Sequence, residues 1–455
     1  MVASRIKEKY SKLDGIDPDA LRFNEDKEGN KYYQSASESD SVPFDPDHEY
    51  PAIAEQLKDN HGGFVRNFQE THKTAKPEDF QAVMNFFPKG ALPALHRLAE
   101  TFTICDHWFC SVPGPTWTNR LFLLSGTSMG RVEMGSSDNL AGFLGYNQRT
   151  IFDLLEDAGV PWRIYFHDFP QSWLLERQRR PQMIANYCPI DEEEGGEGFE
   201  NDLKREGKDF PRFCFIEPQY FEPEQNDDHP TSSAMAAQRL IARVYNAIRA
   251  QEEVWNSSLL IVLYDEHGGF FDHAPVPEAV APAIPDGYPH HDVGAKCDFK
   301  SHGARVPAVL VSPWVGQTFY PEPLDHTSVL KYVCQKWKLP SLSARMDKTS
   351  DFGAVVLGSR RDVPATPIQV PRAAMKTRAS PLNLEDESDH QRALRALCDK
   401  IEQEQFGPIE TGDETRERLK MQAMPGDAAR EMKRRSLMIA NAIKAKAAST
   451  GPKPG

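Results

Sequence analysis

Residues 259 to 273 constrain this chain more than any other stretch. An apolar run, Leu259-Leu260-Ile261-Val262-Leu263-Tyr264, delivers Asp265-Glu266-His267-Gly268-Gly269 and then Asp272-His273. Six apolar residues without alternation fit a strand covered on both faces, as in a parallel sheet, and ligands in such folds gather beyond the carboxyl ends of the strands. Two adjacent carboxylates there repel one another unless a cation stands between them, so a divalent ion is the expected occupant. The glycine pair lets backbone approach closely. A solvated acidic turn would carry the same letters, and the rest of the chain has to decide between the two.

Four apolar runs read as core strands: Trp162 to Phe166, Phe213 to Ile216, Leu259 to Tyr264 and Val306 to Val311. Helical patterns separate them. Ile151, Leu154, Leu155 and Ala158 recur at helical spacing and Gly159 stops that helix, while Thr231-Ser232-Ser233 can cap a helix with Leu240, Ile241, Val244, Tyr245 and Ile248 on one face. This alternation predicts an α/β fold, a doubly wound, mostly parallel sheet sandwiched by helices. The first 60 residues are polar and turn-rich and read as mostly loop. Residues 1–358 form the expected catalytic domain, 359–387 a proline-rich linker or wrapping arm, and 388–455 a helical extension whose stripe is Leu394, Leu397, Cys398 and Ile401.

At 455 residues the chain can bury a large core, and its net charge of -14 argues against a general nucleic-acid surface. No run approaches the roughly 20 apolar residues of a membrane-spanning helix. Met1-Val2-Ala3-Ser4-Arg5-Ile6-Lys7 opens no signal peptide, so the chain as written is expected in the cytoplasm, with export open if its start lies further upstream. The seven cysteines are odd in number, widely spaced and without a CxxC pair, which suits reduced, mostly buried thiols.

The second informative segment is Pro113-Gly114-Pro115-Thr116-Trp117-Thr118-Asn119-Arg120. The prolines make a stiff turn, after which Thr116 can begin a helix. A hydroxyl at a helix start sits among free amides and positive dipole, where an anion is welcome, although a plain N-cap would look the same. Arg120, one turn on, can pair with phosphate, and Asn119 joins it as a candidate substrate contact. Three histidines stand beside carboxylates in loops or at strand ends: His48 after Asp45-Pro46-Asp47, His167 before Asp168, and His229 after Asp228. Converging, they would supply the donors a phosphoryl transition state needs. Asp325-His326-Thr327-Ser328 is similar in look but equally a helix N-terminus.

Taken in order, TWTNR at 116–120, YFHDFP at 165–170, FIEPQYF at 215–221, NDDHP at 226–230, YDEHGGFFDH at 264–273 and DHTS at 325–328 resemble the phosphoesterase family of non-specific phospholipases C and related acid phosphatases. The resemblance runs from about residue 40 to about residue 340. It implies an alkaline-phosphatase-like α/β fold, with Thr116 as a nucleophile that touches the metal and forms a phospho-enzyme. It also implies Asp265 and Glu266 as metal ligands, and His48, His167 and His229 as groups that line the phosphate pocket. Asn119, Arg120, Asp168, Asp228, Asp272 and His273 are then candidate substrate-binding or supporting residues.

Two departures stand out. Thr118 replaces the proline usual in this motif, and no strand followed by an ENRSFDH-like segment precedes His48, so two oxygen ligands of the family's metal site have no counterpart. The resemblance implies a metal-dependent hydrolase that cleaves a phosphodiester on the phospholipid headgroup side, with transient contact to a membrane surface. An acid phosphatase acting on small phosphate esters is one alternative, and a catalytically impaired relative that binds phosphorylated ligands or a partner is the other.

Overall fold

All four apolar runs form strands in the computed structural model of the chain, which describes residues 12–17, 20–134, 146–191, 198–222, 225–283, 297–371, 387–407 and 428–450. They do so in two separate sheets. The chain divides into two compact units, Met1–Met134 with Asp228–Asp386 and Gly135–Asp227 with Glu387–Gly455, and each unit holds one of those sheets. The α/β class follows directly.

In the first unit the strand order is Phe319–Tyr320, Thr103–Cys105, Ala308–Val311, Leu260–Leu263. Ala308–Val311 is central, buried throughout and antiparallel to both neighbours, with Val309 facing Ile104 on one side and Val262 on the other. Only Phe319–Tyr320 pairs in parallel, so this sheet is mixed where a mostly parallel one was expected. Between Leu263 and Ala308 no helix occurs among the described residues, and a return without a helical crossover brings the chain back in the opposite direction. The expected two-sided cover of the acid-bearing strand is also corrected. Leu260–Leu263 is an edge strand among the described residues, and all four of its residues are only half-buried.

The first 60 residues hold more structure than a loop. Phe23–Glu25 and Lys31–Tyr33 form an antiparallel hairpin, and Tyr50–Gln56 is a helix with proline in its first turn. Tyr32 packs on a small core of Phe44, Phe64, Phe68, Phe80 and Met84, against which Phe271 also rests. These strands are three residues long and half polar, too short for a periodicity to show.

The helix Ala234–Ala250 is capped by Ser233, whose Oγ accepts from the Met235 amide at 3.3 Å. Val244, Tyr245 and Ile248 are buried as the pattern requires, while Leu240 and Ile241 are half-buried and Met235, Gln238 and Ala242 complete the inner face. Residues 359–371 of the proposed arm lie along this helix: Arg249 donates to the Val363 carbonyl at 2.7 Å, and the Asn246 side chain brackets Ile368 through both its N–H and its carbonyl. The remainder of the arm, 372–386, lies outside the described residues, as do 408–427 with Pro425-Gly426.

The second unit is built on a three-stranded parallel sheet with Trp162–Phe166 between Tyr187–Pro189 and Phe213–Ile216. The helix Ile151–Asp157 precedes it, with a capping box between Thr150 and Asp153 and Gly159 at φ 64° just beyond its end. The helices Asp389–Phe406 and Ala428–Thr450 pack together within this unit, with Leu394, Leu397, Cys398 and Ile401 buried. All seven cysteines are free thiols, six of them buried. Among the described residues no helix is long and apolar enough to cross a membrane.

Candidate functional site

Tyr264, Asp265 and Glu266 leave the carboxyl end of the edge strand and turn through Gly268 and Gly269, both left-handed at φ 63° and 71°. Gly269 has no room for a side chain: a Cβ there would stand 2.6 Å from Pro46 Cβ and 3.1 Å from the Asp47 carbonyl. The acidic turn is thereby pressed against the Asp45–His48 segment. His267 fastens the contact, with Nε2 donating to Gln56 Oε1 at 2.9 Å while Gln56 Nε2 donates to the Asp47 carbonyl at 2.6 Å.

Thr116 is the first residue of the helix Thr116–Ser125, and Pro115 rather than Thr116 holds the N-cap position. Its hydroxyl does no capping. Among the described residues no hydrogen bond engages it, and it lies almost buried among the amides of the first turn. Asn119 is fully buried, and its side-chain amide donates to the Gly114 carbonyl at 2.7 Å while its carbonyl accepts from Val112 N–H at 3.2 Å. It braces the Pro113–Pro115 turn from inside, so its side chain is engaged by its own loop. Thr118 is buried beside Gly114, and among the described residues its Oγ1 has no hydrogen-bond partner.

Arg120 joins the two motifs. One turn beyond Thr116, its Nε donates to Asp265 Oδ2 at 2.7 Å, so the hydroxyl-bearing helix is tied to the acidic pair. Asp265 is held from its other side too, since His326 Nε2 donates to its backbone carbonyl at 2.7 Å and Trp108 Nε1 donates to His326 Nδ1 at 3.2 Å. Burial lowers the His326 pKa, so the imidazole is neutral. Glu266 is buried, its Oε2 accepting from Gly268 N–H at 2.6 Å with His267 Nδ1 at 3.5 Å. Burial disfavours its charge, but His48 and His267 outweigh burial and hold it ionised.

Across the Gly269 contact, Asp45, His48 and His229 converge. Their ligand atoms lie within 4.8 Å of one another, with Asp45 Oδ1 3.7 Å from His48 Nδ1 and Oδ2 3.8 Å from His229 Nε2. The two rings meet edge to face with centroids 5.2 Å apart. His48 Nδ1 donates to the Pro46 carbonyl at 2.8 Å, and His229 Nδ1 donates to the Pro230 carbonyl. Burial pulls the His48 pKa down, yet the Glu266 and Asp45 carboxylates outweigh it and hold it at about 9. At neutral pH His48 is a buried cation.

A divalent ion fits the second of these clusters better than the first. Asp265 spends Oδ2 on Arg120 and Oδ1 on the Glu266 amide, whereas Asp45 Oδ1 is buried and accepts no hydrogen bond among the described residues. One carboxylate and two imidazoles suit a borderline transition ion more than calcium. Asp45 was legible only as a neighbour of His48 in the string Asp45-Pro46-Asp47-His48, and the fold is what turns its carboxylate toward two histidines.

The remaining candidates have other partners. Asp228, at φ 63°, accepts from the Tyr264 hydroxyl and so links the turn before His229 to the residue before Asp265. Asp272 pairs with Arg305 Nη2 at 3.0 Å, and His273 Nε2 donates to Asp14 Oδ1 at 2.8 Å; both sit in an ion-pair network beyond the acidic turn. His167 and Asp168 belong to the second unit. His167 Nδ1 donates to the Glu217 carbonyl at 3.1 Å, and Asp168 accepts from the Phe169, Tyr220 and Phe221 amides. Asp325 of the DHTS string is a structural hub: it accepts from Ser111, Thr327 and the buried Arg345, whose guanidinium also donates to the Ser111 and Phe299 carbonyls at 2.7 Å. Nothing in the letters around Arg345 marks it.

The sequence profile of the phosphoesterase family matches residues 7–340. The chain belongs to that family. It is 33% identical over 366 residues to non-specific phospholipase C3 of Arabidopsis thaliana, covering 74% of this chain and 66% of that protein. With non-specific phospholipase C4 of the same plant the identity is 32%, over 79% and 70% of the two chains. With phospholipase C B of Mycobacterium tuberculosis it is 29%, over 67% and 62%. This phosphoesterase thus spans about two thirds of the length of these relatives. Among solved structures it is similar to a protein in the alkaline phosphatase superfamily from Vibrio parahaemolyticus, with 11% identity, a TM-score of 0.32 and coverage of 56% and 64%.

Proposed function

We propose that this phosphoesterase hydrolyses a phosphodiester of phospholipase C type, releasing the phosphorylated headgroup of a phospholipid through a phospho-threonine at Thr116. The observation that carries this is the Arg120–Asp265 ion pair, which ties a helix-start hydroxyl to an acidic turn itself packed on a cationic histidine. The names of the relatives, non-specific phospholipases C, favour a phospholipid over a phosphomonoester.

Thr116 Oγ1 attacks phosphorus as its proton passes to water, and the bond to the diacylglycerol oxygen breaks. A histidine, His48 or His229, protonates the departing alkoxide, and the phosphoryl group stays on Thr116. Water then attacks that phosphorus, the Thr116 oxygen regains a proton, and the phosphorylated headgroup departs. Amides of the first helical turn and the His48 cation stabilise the charge on the non-bridging oxygens. A divalent ion held by Asp45, His48 and His229, with Glu266 beside them, would take over that charge neutralisation from the His48 proton, and the leaving alkoxide would then draw its proton from water. Its uptake would displace the His48 proton and would therefore strengthen as pH rises.

Phosphocholine release from phosphatidylcholine tests the proposal. Thr116→Ala is expected to lower kcat by on the order of 10³-fold or more, and Thr116→Ser to keep measurable turnover. Mass spectrometry of acid-quenched enzyme should find the phosphoryl adduct on residue 116. An adduct elsewhere, or full activity in the alanine variant, would sink the mechanism.

A further inference from the structure

The hairpin Phe23–Glu25/Lys31–Tyr33 turns an apolar face to solvent. Leu21, Tyr33 and Phe23 are 69%, 44% and 39% exposed, among the most exposed large apolar side chains described. Phe23 and Tyr33 are cross-strand partners with ring centroids 5.5 Å apart, so the two rings form one ledge. Lys31 stands on the same face with Nζ 4.1 Å from the centre of the Phe23 ring, and among the described residues no carboxylate lies within ion-pair distance of it. Glu25, its cross-strand partner, is instead 3.8 Å from Arg66. The face therefore presents two aromatic rings, the Glu25–Arg66 ion pair and an ammonium group with no ion-pair partner among the described residues, and the exposed Leu21 lies just before its first strand.

Its other side leads to the site. Asn24 is buried, donating to the His61 carbonyl at 3.0 Å, and His61 Nδ1 donates in turn to the Asp272 carbonyl at 2.7 Å. Tyr32 packs on the small core that contains Phe44, the neighbour of Asp45, and supports Phe271. The ledge is mounted on the same packing that backs both site turns.

We infer that this ledge docks the protein on a phosphatidylcholine surface, with Leu21, Phe23 and Tyr33 at headgroup depth and Lys31 on a lipid phosphate. Amphipathic rings beside a snorkelling lysine are the chemistry of membrane interfaces, and a phosphate completes the ion pair that Lys31 lacks. A second copy of this chain suits the face less well. A two-fold contact would set Lys31 near its own image, and a stable dimer needs about 1,200–2,000 Å² of buried surface, far beyond three side chains. The inference rests on the phospholipid substrate proposed above and adds how the protein reaches it.

The test compares wild type with Phe23→Ser/Tyr33→Ser, Lys31→Glu and the conservative Phe23→Trp/Tyr33→Trp. Binding to phosphatidylcholine vesicles is scored by flotation, and hydrolysis on vesicles and on a dissolved short-chain phosphatidylcholine. The serine pair is expected to lose about tenfold or more in vesicle binding and vesicle hydrolysis. Its Tm and its turnover of dissolved substrate stay unchanged, Lys31→Glu weakens flotation, and the tryptophan pair restores it. Equal losses on both substrates, or unchanged flotation of the serine pair, would overturn the docking role. So would light scattering that shows wild type dimeric and the serine pair monomeric. A wild type that floats but hydrolyses neither substrate would refute the phospholipase proposal while leaving the docking result to stand by itself.

Discussion

Arg120 carries the most exposed claim at the scale of single residues. Its guanidinium is the only cation bonded to the Asp265 side chain among the described residues, at a position where solvent screening is weak but not absent. Arg120→Met leaves that carboxylate without its partner and frees the helix that presents Thr116. Turnover is expected to fall by about 10²-fold with a smaller change in KM, and Arg120→Lys to recover part of the loss, because an ammonium keeps the charge without the planar fork. Steady-state kinetics of the two variants check this. The residues behind it were unevenly visible beforehand. Thr116, Arg120, Asp265 and Glu266 announce themselves by clustering carboxylate, hydroxyl and cation at element ends. Arg345 and Tyr264 do not, because a buried anchor is defined by what it reaches across the fold rather than by its neighbours in the chain.

The decisive element is the turn from Asp265 to Gly269 and its contact with Asp45–His48. Gly269→Ala forces a Cβ into Pro46 and a left-handed conformation onto alanine. A loss of about 1–3 kcal/mol in denaturant unfolding is expected, with activity reduced further than stability because the two site turns are driven apart. Asn119→Ala tests the other turn: with the Gly114 carbonyl unmet inside the core, a similar stability loss and a displaced Thr116 are expected. The strands carrying these turns were recognisable as strands, but their surroundings were not. An unalternating apolar run reads alike in a buried parallel strand and in the half-buried edge strand found here. The hairpin at Phe23 escaped because three-residue strands hold too little pattern to distinguish from loop.

For the whole molecule, the titrating groups set the pH range of the fold. Burial raises Glu49 and Asp168 to about 7 from ordinary carboxylate values, so the stability they contribute below pH 4.5 is lost as pH climbs through 7. His48, raised to about 9 by its carboxylate neighbours against burial, contributes below pH 6.5 and loses that contribution as pH passes through 9. Asp325 and Glu266 act in the opposite direction: burial opposes their charge, but His302 and Arg345 at the first and His48 and His267 at the second depress them. They stabilise above the ordinary carboxylate range and fail on acidification. Metal-stripped protein is thus expected to be most stable near pH 5 and to weaken steadily toward pH 9, which thermal melts across buffers would show. A profile still rising at pH 8 would contradict these assignments. Treatment with a chelator should abolish hydrolysis, and restoring a divalent ion should recover it. Asp45→Asn should lower the bound metal content in elemental analysis with the fold intact.

By itself the sequence determined the α/β class, the family, and the local chemistry of each motif, because apolar runs, helix caps and clustered polar residues are properties of neighbours in the chain. Tertiary structure alone decided the rest. It turned Asp45 toward His48 and His229, committed Asn119 to its own loop and Asp265 to Arg120, and drew Asp272 and His273 into an ion-pair network. Strand direction and side-chain partnership depend on where distant segments return, and no window of residues records that path.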